Sequence, residues 1–236
     1  MKIVIDLAKF LLKRKSEMAK MSHLETQEIV SGIYVLKTKG ANFYVIKNGT
    51  EYIAIDAGGG NKKIAKAELN KLNIDPEKVT TVLLTHTDFD HVSALSLFKN
   101  AMIYISEQEV EMIDGSVSRM FGIGKNKLNV AYKVLKDNKE IYFGNIRVNA
   151  ILTPGHTNGS MSYVINDKYL FVGDTLSLKN GQAELFNSLF NMNDIAQKQS
   201  IEKLGKICGV EYIFTCHYGF ADDYKKAFKN FQSSIN

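Results

Sequence analysis

The chain reads as a mixed α/β (α+β) protein, built of sheets with helices packed outside them, and three observations point there. Short apolar runs bounded by turn residues recur through the first and third quarters. Stretches with apolar residues at helical spacing lie between them and at the end. No composition shift, repeat or Gly/Ser linker divides the sequence, so residues 26–236 are expected to form one domain.

Taken in order, residues 1–25 are expected to carry an appended amphipathic helix, with Ile3, Leu7, Phe10 and Leu11 at helical spacing. Asp6 and Lys9 break its apolar run and the basic residues follow it, which reads against a signal peptide. The run is also too short for a transmembrane segment. The helix is expected to pack on the body or on a second copy, which leaves room for a homodimer. Strands are expected at 33–36, 43–46 and 52–56, with Asn48-Gly49 as a hairpin turn. A helix should cover 62–72, a buried strand 82–85, and a further helix should begin near Val92. A strand at 102–106 leads into a helical stretch from Glu107, and 115–129 reads as irregular. Strands follow at 141–143, 147–152, 163–165 and 169–172, then a helix at 194–207, a strand at 212–215 and a closing helix at 223–231.

Bulk properties narrow the function. The net charge of +5 is spread without a dense basic block, so no nucleic-acid partner is favoured and a small, anionic substrate fits as well. The two cysteines, Cys208 and Cys216, form neither a disulfide framework nor a CxxC pair, and reduced thiols of a cytoplasmic protein are the simplest account.

The chemistry lies at the strand ends. "TVLLTHTDFDH" delivers His86, Asp88, Asp90 and His91; "ILTPGHT" delivers His156; "LFVGDT" delivers Asp174; "YIFTCHYG" delivers His217. Four of the five histidines are used this way, and only His23 is left without a role. One histidine after a strand is usually a hydrogen-bonded residue of the fold. Four recurrences with interleaved carboxylates fit a metal site, which needs ligands on rigid elements. Imidazole and carboxylate without thiolate suit zinc, iron or manganese. Seven donors are too many for one tetrahedral zinc but suit two metals that share a carboxylate and a water.

With "HTDFDH", "TPGHTNGS", "VGDT" and "CHYG" in this order, and "YIAIDAG" upstream, the sequence resembles the metallo-β-lactamase superfamily over roughly residues 30–220. The resemblance implies a four-layer αββα sandwich, two mixed β-sheets face to face with helices outside, and metals in a cleft along one edge. It implies His86 and His156 on one metal, Asp90, His91 and His217 on the other, and Asp174 as the bridge, with a hydroxide between the metals as nucleophile. Asp90 could also orient that nucleophile and relay its proton. The family's second histidine is here Asp88, a variant HxDxDH motif; flavodiiron proteins carry a Glu there and bind iron. Two divalent ions facing three aspartates keep one positive charge, and a hydroxide cancels it. The extra carboxylate weakens the Lewis acid and tilts the preference from zinc toward iron or manganese.

Other residues carry weaker signals. Asp56 reads as a carboxylate that orients a ligand, or as a turn cap. Gly58-Gly59-Gly60 lacks the context of a phosphate loop and reads as a flexible turn. Thr157 and Ser160 read as a hydrogen-bonded turn, and Cys216 as a buried structural residue. Tyr218 could face a substrate oxyanion, Lys179 could hold an anionic group, and 185–193 could wall the pocket. The leading expectation is a binuclear metal-dependent hydrolase, with two divalent ions and zinc first, acting on an ester, thioester, lactone, amide or phosphoester. The alternative is a di-iron or iron redox enzyme. The chain ends about 19 residues after His217, so that reading needs an external electron donor. A degenerate metal-binding protein ranks last, since every ligand position holds a competent donor.

Overall fold

The computed structural model describes residues 21–118, 126 and 128–232, together with 9, 12, 13, 15, 16 and 18. The expected N-terminal helix falls mostly outside the described residues, although the few described before residue 19 have helical backbone.

Alternation in the strands explains the architecture. In β3 (Asn42–Asn48), Tyr44 and Ile46 point into one apolar cluster while Phe43 and Val45 point into another. In β11 (Tyr169–Gly173), Phe171 belongs to the first of these, and Leu170 and Val172 to a third. Strands that are apolar on both faces must be covered on both faces. The shared cluster joins two sheets, and the other two lie under helices. The layers run helix, sheet, sheet, helix, as expected.

Both sheets are mixed. The first places β1 (Gln27–Val30), β2 (Ile33–Lys37), β3, β4 (Glu51–Ile55), β5 (Val79–Leu83), β6 (Met102–Ser106) and β7 (Tyr132–Leu135) in chain order. The pairs from β1 to β4 are antiparallel and those from β4 to β7 parallel. The second sheet runs β15 (Phe220–Ala221), β14 (Tyr212–Thr215), β11, β10 (Met161–Ile165), β9 (Ile146–Leu152), β8 (Lys139–Phe143), and only β11 and β14 pair in parallel. A separate hairpin, β12 (Leu176–Lys179) and β13 (Gln182–Leu185), turns at Asn180-Gly181 with both residues at positive φ.

The helix α1 (Lys62–Lys71) buries Ala65 and Leu69 on the first sheet and is capped by Asn61, whose side chain accepts from the backbone of Lys63 and Ile64. The helix expected near Val92 is the single turn α2 (Phe89–Val92). It stops because the His91 carbonyl accepts from Ala57 N at 2.7 Å instead of continuing the helix. After the strand β6 the chain makes the short helix α3 (Val110–Asp114). On the second sheet lie α4 (Asp194–Leu204), α5 (Tyr224–Ala227) and α6 (Lys229–Gln232). The expected closing helix is thus broken at Phe228, whose side chain is fully buried in the outer cluster. Helix α4 ends before 207 because Gly205 caps it against the Phe228 ring. The strands β1, β7, β12, β13 and β15 were not among those expected from the sequence.

Candidate metal centre

The parallel pairing of β4 with β5 and of β11 with β14 puts the C-terminal ends of these strands along one edge of the sandwich. The strand β9 points the same way as β11, because both are antiparallel to β10. The loops that follow carry His86 to His91 from the first sheet, and His156, Asp174 and His217 from the second.

All seven expected residues meet there. His86, His156 and Asp174 form one group of donors that could hold a metal ion, and Asp90, His91 and His217 form another. Asp174 stands between them. Its Oδ2 lies 3.3 Å from His156 Nε2 and 3.1 Å from His217 Nε2, and its Oδ1 lies 3.6 Å from His91 Nε2. Asp88 also points inward, with Oδ2 3.6 Å from His86 Nε2 and 3.4 Å from His156 Nε2. Its other oxygen accepts from Asn126 Nδ2 at 3.1 Å. Asp90 Oδ2 lies 3.6 Å from His217 Nε2, and its carboxylate is the more exposed of the cluster.

These donors fit a cation. His86 Nε2, His91 Nε2 and Asp174 Oδ1 are buried and make no hydrogen bond, a costly arrangement for a protein interior unless an ion takes up the lone pairs. Without an ion, the carboxylates favour a proton on His91 and on His217. Burial opposes the charge on His91, but Asp174, Asp56 and Asp90 outweigh it and lift its pKa well above 6.5. His217 is raised in the same way, against burial, chiefly by Asp174. Burial pushes Asp174 up, yet His217, His91 and His156 together hold it well below 3.8.

A second ring of contacts fixes the donors. Asp56, fully buried, accepts from Thr85 N at 2.7 Å and Thr85 Oγ1 at 2.8 Å, and its Oδ2 lies 2.9 Å from His91 Nδ1. That leaves His91 Nε2 turned toward Asp174. Asp56 is thus an orienting carboxylate, and its positive φ of 63° is one that Asp tolerates better than most residues. Cys216 is buried and donates to Asp56 at 3.4 Å, and with Asp56 and His91 it forms a third, fully buried group of donor atoms. The glycine run is a packing device: a Cβ on Gly59 would come within 2.0 Å of Lys39 O and 2.9 Å of Asp90 Cβ. Thr157 and Ser160 form the expected turn, Thr157 N donating to Ser160 Oγ at 2.9 Å.

Several contacts were not foreseen. Buried Glu109 accepts from Thr87 N at 2.8 Å, Thr87 Oγ1 at 2.7 Å and Thr157 Oγ1 at 2.7 Å, tying the His86 loop to the His156 loop. In the sequence it reads only as the end of an S-x-x-E cap, and Ser106 does cap it. His23, given no role from the sequence, brings its Nε2 to 3.4 Å from His217 Nδ1, while Ser22 N donates to His217 O at 2.9 Å. Lys179 instead faces Glu184 across the hairpin at 3.8 Å, and among the described residues the lysine lining the cleft is Lys39. Tyr218 packs edge-on against Phe186, with ring centres 5.7 Å apart. Phe186 and Phe190, from the segment expected to wall the pocket, do line it.

The family model described as the metallo-beta-lactamase superfamily matches residues 37–217. A probable metallo-hydrolase of Methanocaldococcus jannaschii is 33% identical over 139 residues, 59% of this chain and 58% of that protein. A probable polyketide biosynthesis zinc-dependent hydrolase of Bacillus velezensis is 31% identical over 127 residues, 52% of this chain and 49% of its own length. The chain thus spans 58% and 62% of the first two curated relatives it matches. Among solved structures, a B3 metallo-beta-lactamase with an active site glutamic acid superposes with a TM-score of 0.67 at 17% identity, covering 94% of this chain and 93% of that one. Fold, order of motifs and family match agree, and the chain belongs to the metallo-β-lactamase superfamily.

Proposed function

We propose that this chain is a binuclear metal-dependent hydrolase. The observation that carries the reading is the convergence of seven donors on one cleft, three of their buried atoms without a hydrogen bond. Two divalent ions, zinc first, would be held by His86, His156 and Asp88 on one side and by Asp90, His91 and His217 on the other, with Asp174 shared. When bound, such ions supply an acidified water as nucleophile and a Lewis acid for the attacked bond.

The rest of the work falls to the chain. Asp56 holds the Nδ1 proton of His91, which keeps Nε2 free to donate a lone pair. Asp90, at the open side of the cluster, is placed to orient the attacking water and to take its proton at a carboxylate oxygen. Phe186 stands over the histidines, its ring centre 5.1 Å from that of His156, and keeps bulk water off that side. The zinc-dependent relative supports the metal; the reaction on this chain rests on the donor geometry.

One observation favours a second reading, an iron redox centre. Asp88 reaches both histidine nitrogens of its group, and the added carboxylate suits a harder ion. Elemental analysis of protein purified without added metal, with an absorption spectrum, separates the two. About two zinc per chain without colour, and ester hydrolysis abolished by a chelator, is the expected result. About two iron with visible absorption would put the redox reading first, and less than one metal after reconstitution would refute both.

A further inference from the structure

Above the donors lies a cleft of about 490 Å³. Its floor is the donor cluster, represented by Asp88, Asp90, Asp174, His156 and His217. Its walls are almost wholly apolar: Met18, Met21, Phe89, Phe186 and Phe190. Phe89, between Asp88 and Asp90 in the chain, lines the cleft and is 71% exposed, an aromatic ring left at the rim of a charged cluster. Phe186 is buried and stacks edge-on with Phe190 at 6.1 Å, so that wall is a continuous aromatic surface. Among the described residues that line the cleft, one side chain is cationic, the exposed Lys39 beside Gly40 and Gly60.

Charge and surface together select a substrate. Three aspartates oppose the two divalent ions of the reading above, leaving one positive charge that a hydroxide nucleophile removes. A centre so neutralised, whose described lining carries one lysine, has little to offer a phosphodiester or a polyanion, which is recognised by clustered cations. It suits an uncharged carbonyl whose body is buried against hydrocarbon and aromatic rings. Resting on the hydrolase reading, we propose that the substrate is an ester or thioester of a medium-length apolar acyl group carrying at most one anionic group, which pairs with Lys39. Water adds its oxygen to the acyl carbon and the C–O or C–S bond breaks. The alcohol or thiol leaves with one proton of the water, and the acid product releases the other.

The test uses the full chain loaded with zinc. A p-nitrophenyl ester series from acetate to decanoate is compared with bis(p-nitrophenyl) phosphate, and octanoate and butyrate binding are measured by calorimetry. The expected kcat/KM rises with acyl length, by up to about fourfold per methylene, and exceeds that for the phosphodiester at least a hundredfold. Octanoate binds at least tenfold tighter than butyrate, and Phe186→Ala and Phe89→Ala flatten both series. Lys39→Ala lowers the preference for a p-nitrophenyl ester ending in a free carboxylate over the neutral ester of equal length. A flat length profile, equal binding of the two carboxylates, or preference for the phosphodiester would overturn the proposal while leaving a hydrolase. No chelator-sensitive turnover of any substrate would overturn the hydrolase reading itself.

Discussion

Asp56 is the position where one substitution separates fold from metal binding. Its carboxylate is fully buried, and its two oxygens serve Thr85 N, Thr85 Oγ1 and His91 Nδ1, all within 2.9 Å. Asp56→Ala removes one partner of a buried ion pair and strands a backbone N–H. Such losses cost about 3–5 kcal/mol for the pair, and Ala adds strain at a φ of 63°. Asp56→Asn is the sharper probe. An amide oxygen at the Oδ1 position still accepts from Thr85 N, so the loop holds. The amide NH2 then faces His91 Nδ1, which must become an acceptor, and the ring proton moves to Nε2, where a metal lone pair is needed. Asp56→Asn is expected to unfold within about 2 kcal/mol of the parent and to bind metal about 10–100-fold more weakly, at the group that contains His91. Urea unfolding of metal-free and loaded protein, with competition against a coloured chelator, reads both quantities. Parent-like affinity for both metals in Asp56→Asn would refute the assignment of Asp56 as the residue that orients His91.

Three further outcomes follow from the same contacts. Glu109→Ala should destabilise the protein by about 2–4 kcal/mol through stranded donors on Thr87 and Thr157, whereas Glu109→Gln, which keeps an acceptor there, should cost about 1 kcal/mol in thermal or urea unfolding. His23→Ala removes the ring beside His217 Nδ1; it should weaken metal affinity about tenfold with little change in unfolding of the metal-free protein, measured by chelator competition. In the metal-free protein the charge pairing of Asp174 with His91 and His217 should contribute most to stability between pH 3.8 and 6.5. The depressed Asp174 contributes above 3.8 and loses its effect as pH falls through its lower native value; raised His91 and His217 contribute fully below 6.5 and lose theirs as pH rises through their native values. Metal needs neutral imidazoles, so the melting temperature gained on loading should grow from about pH 6 to about pH 8, and a pH-independent gain would contradict the donor assignment.

The sequence carried the strand-end donors because their signal is local: an apolar strand, then His or Asp. The two sheets were legible for the same reason, since strands buried on both faces are unbroken apolar runs. Strands at edges were not. Tyr132–Leu135 is four residues long with only Leu135 buried, and Phe220–Ala221 is two residues long; both are strands only because a neighbour pairs with them. The β12–β13 hairpin did have a signal, Asn180-Gly181, of the kind read correctly at Asn48-Gly49. Glu109, His23 and Lys39 were illegible on physical grounds. Glu109 lies 22 residues from Thr87 and 48 from Thr157, His23 lies 194 from His217, and no spacing rule reaches across such separations.

The geometry of the candidate centre belongs to the packing of the sheets more than to any loop. Each donor group draws on both sheets: His86 meets His156 and Asp174, and Asp90 and His91 meet His217. No single loop can then set the distance between the donors of either group; the seam between the sheets sets it. That seam is pinned close to the site. Tyr163 OH donates to Leu84 O at 2.7 Å, Tyr44 OH to Thr215 O at 2.6 Å, and Met161 N to Thr85 O at 2.8 Å. Each bond ties a strand of one sheet to the end of a strand in the other, one or two residues before a donor. A Cβ on Gly173 would come within 2.5 Å of Thr85 Oγ1, so the residue before Asp174 must lack one for the seam to close. A metal that joins donors across this seam stabilises the docked sheets by its own binding free energy, and the docked sheets in turn hold the donors in place before the metal arrives.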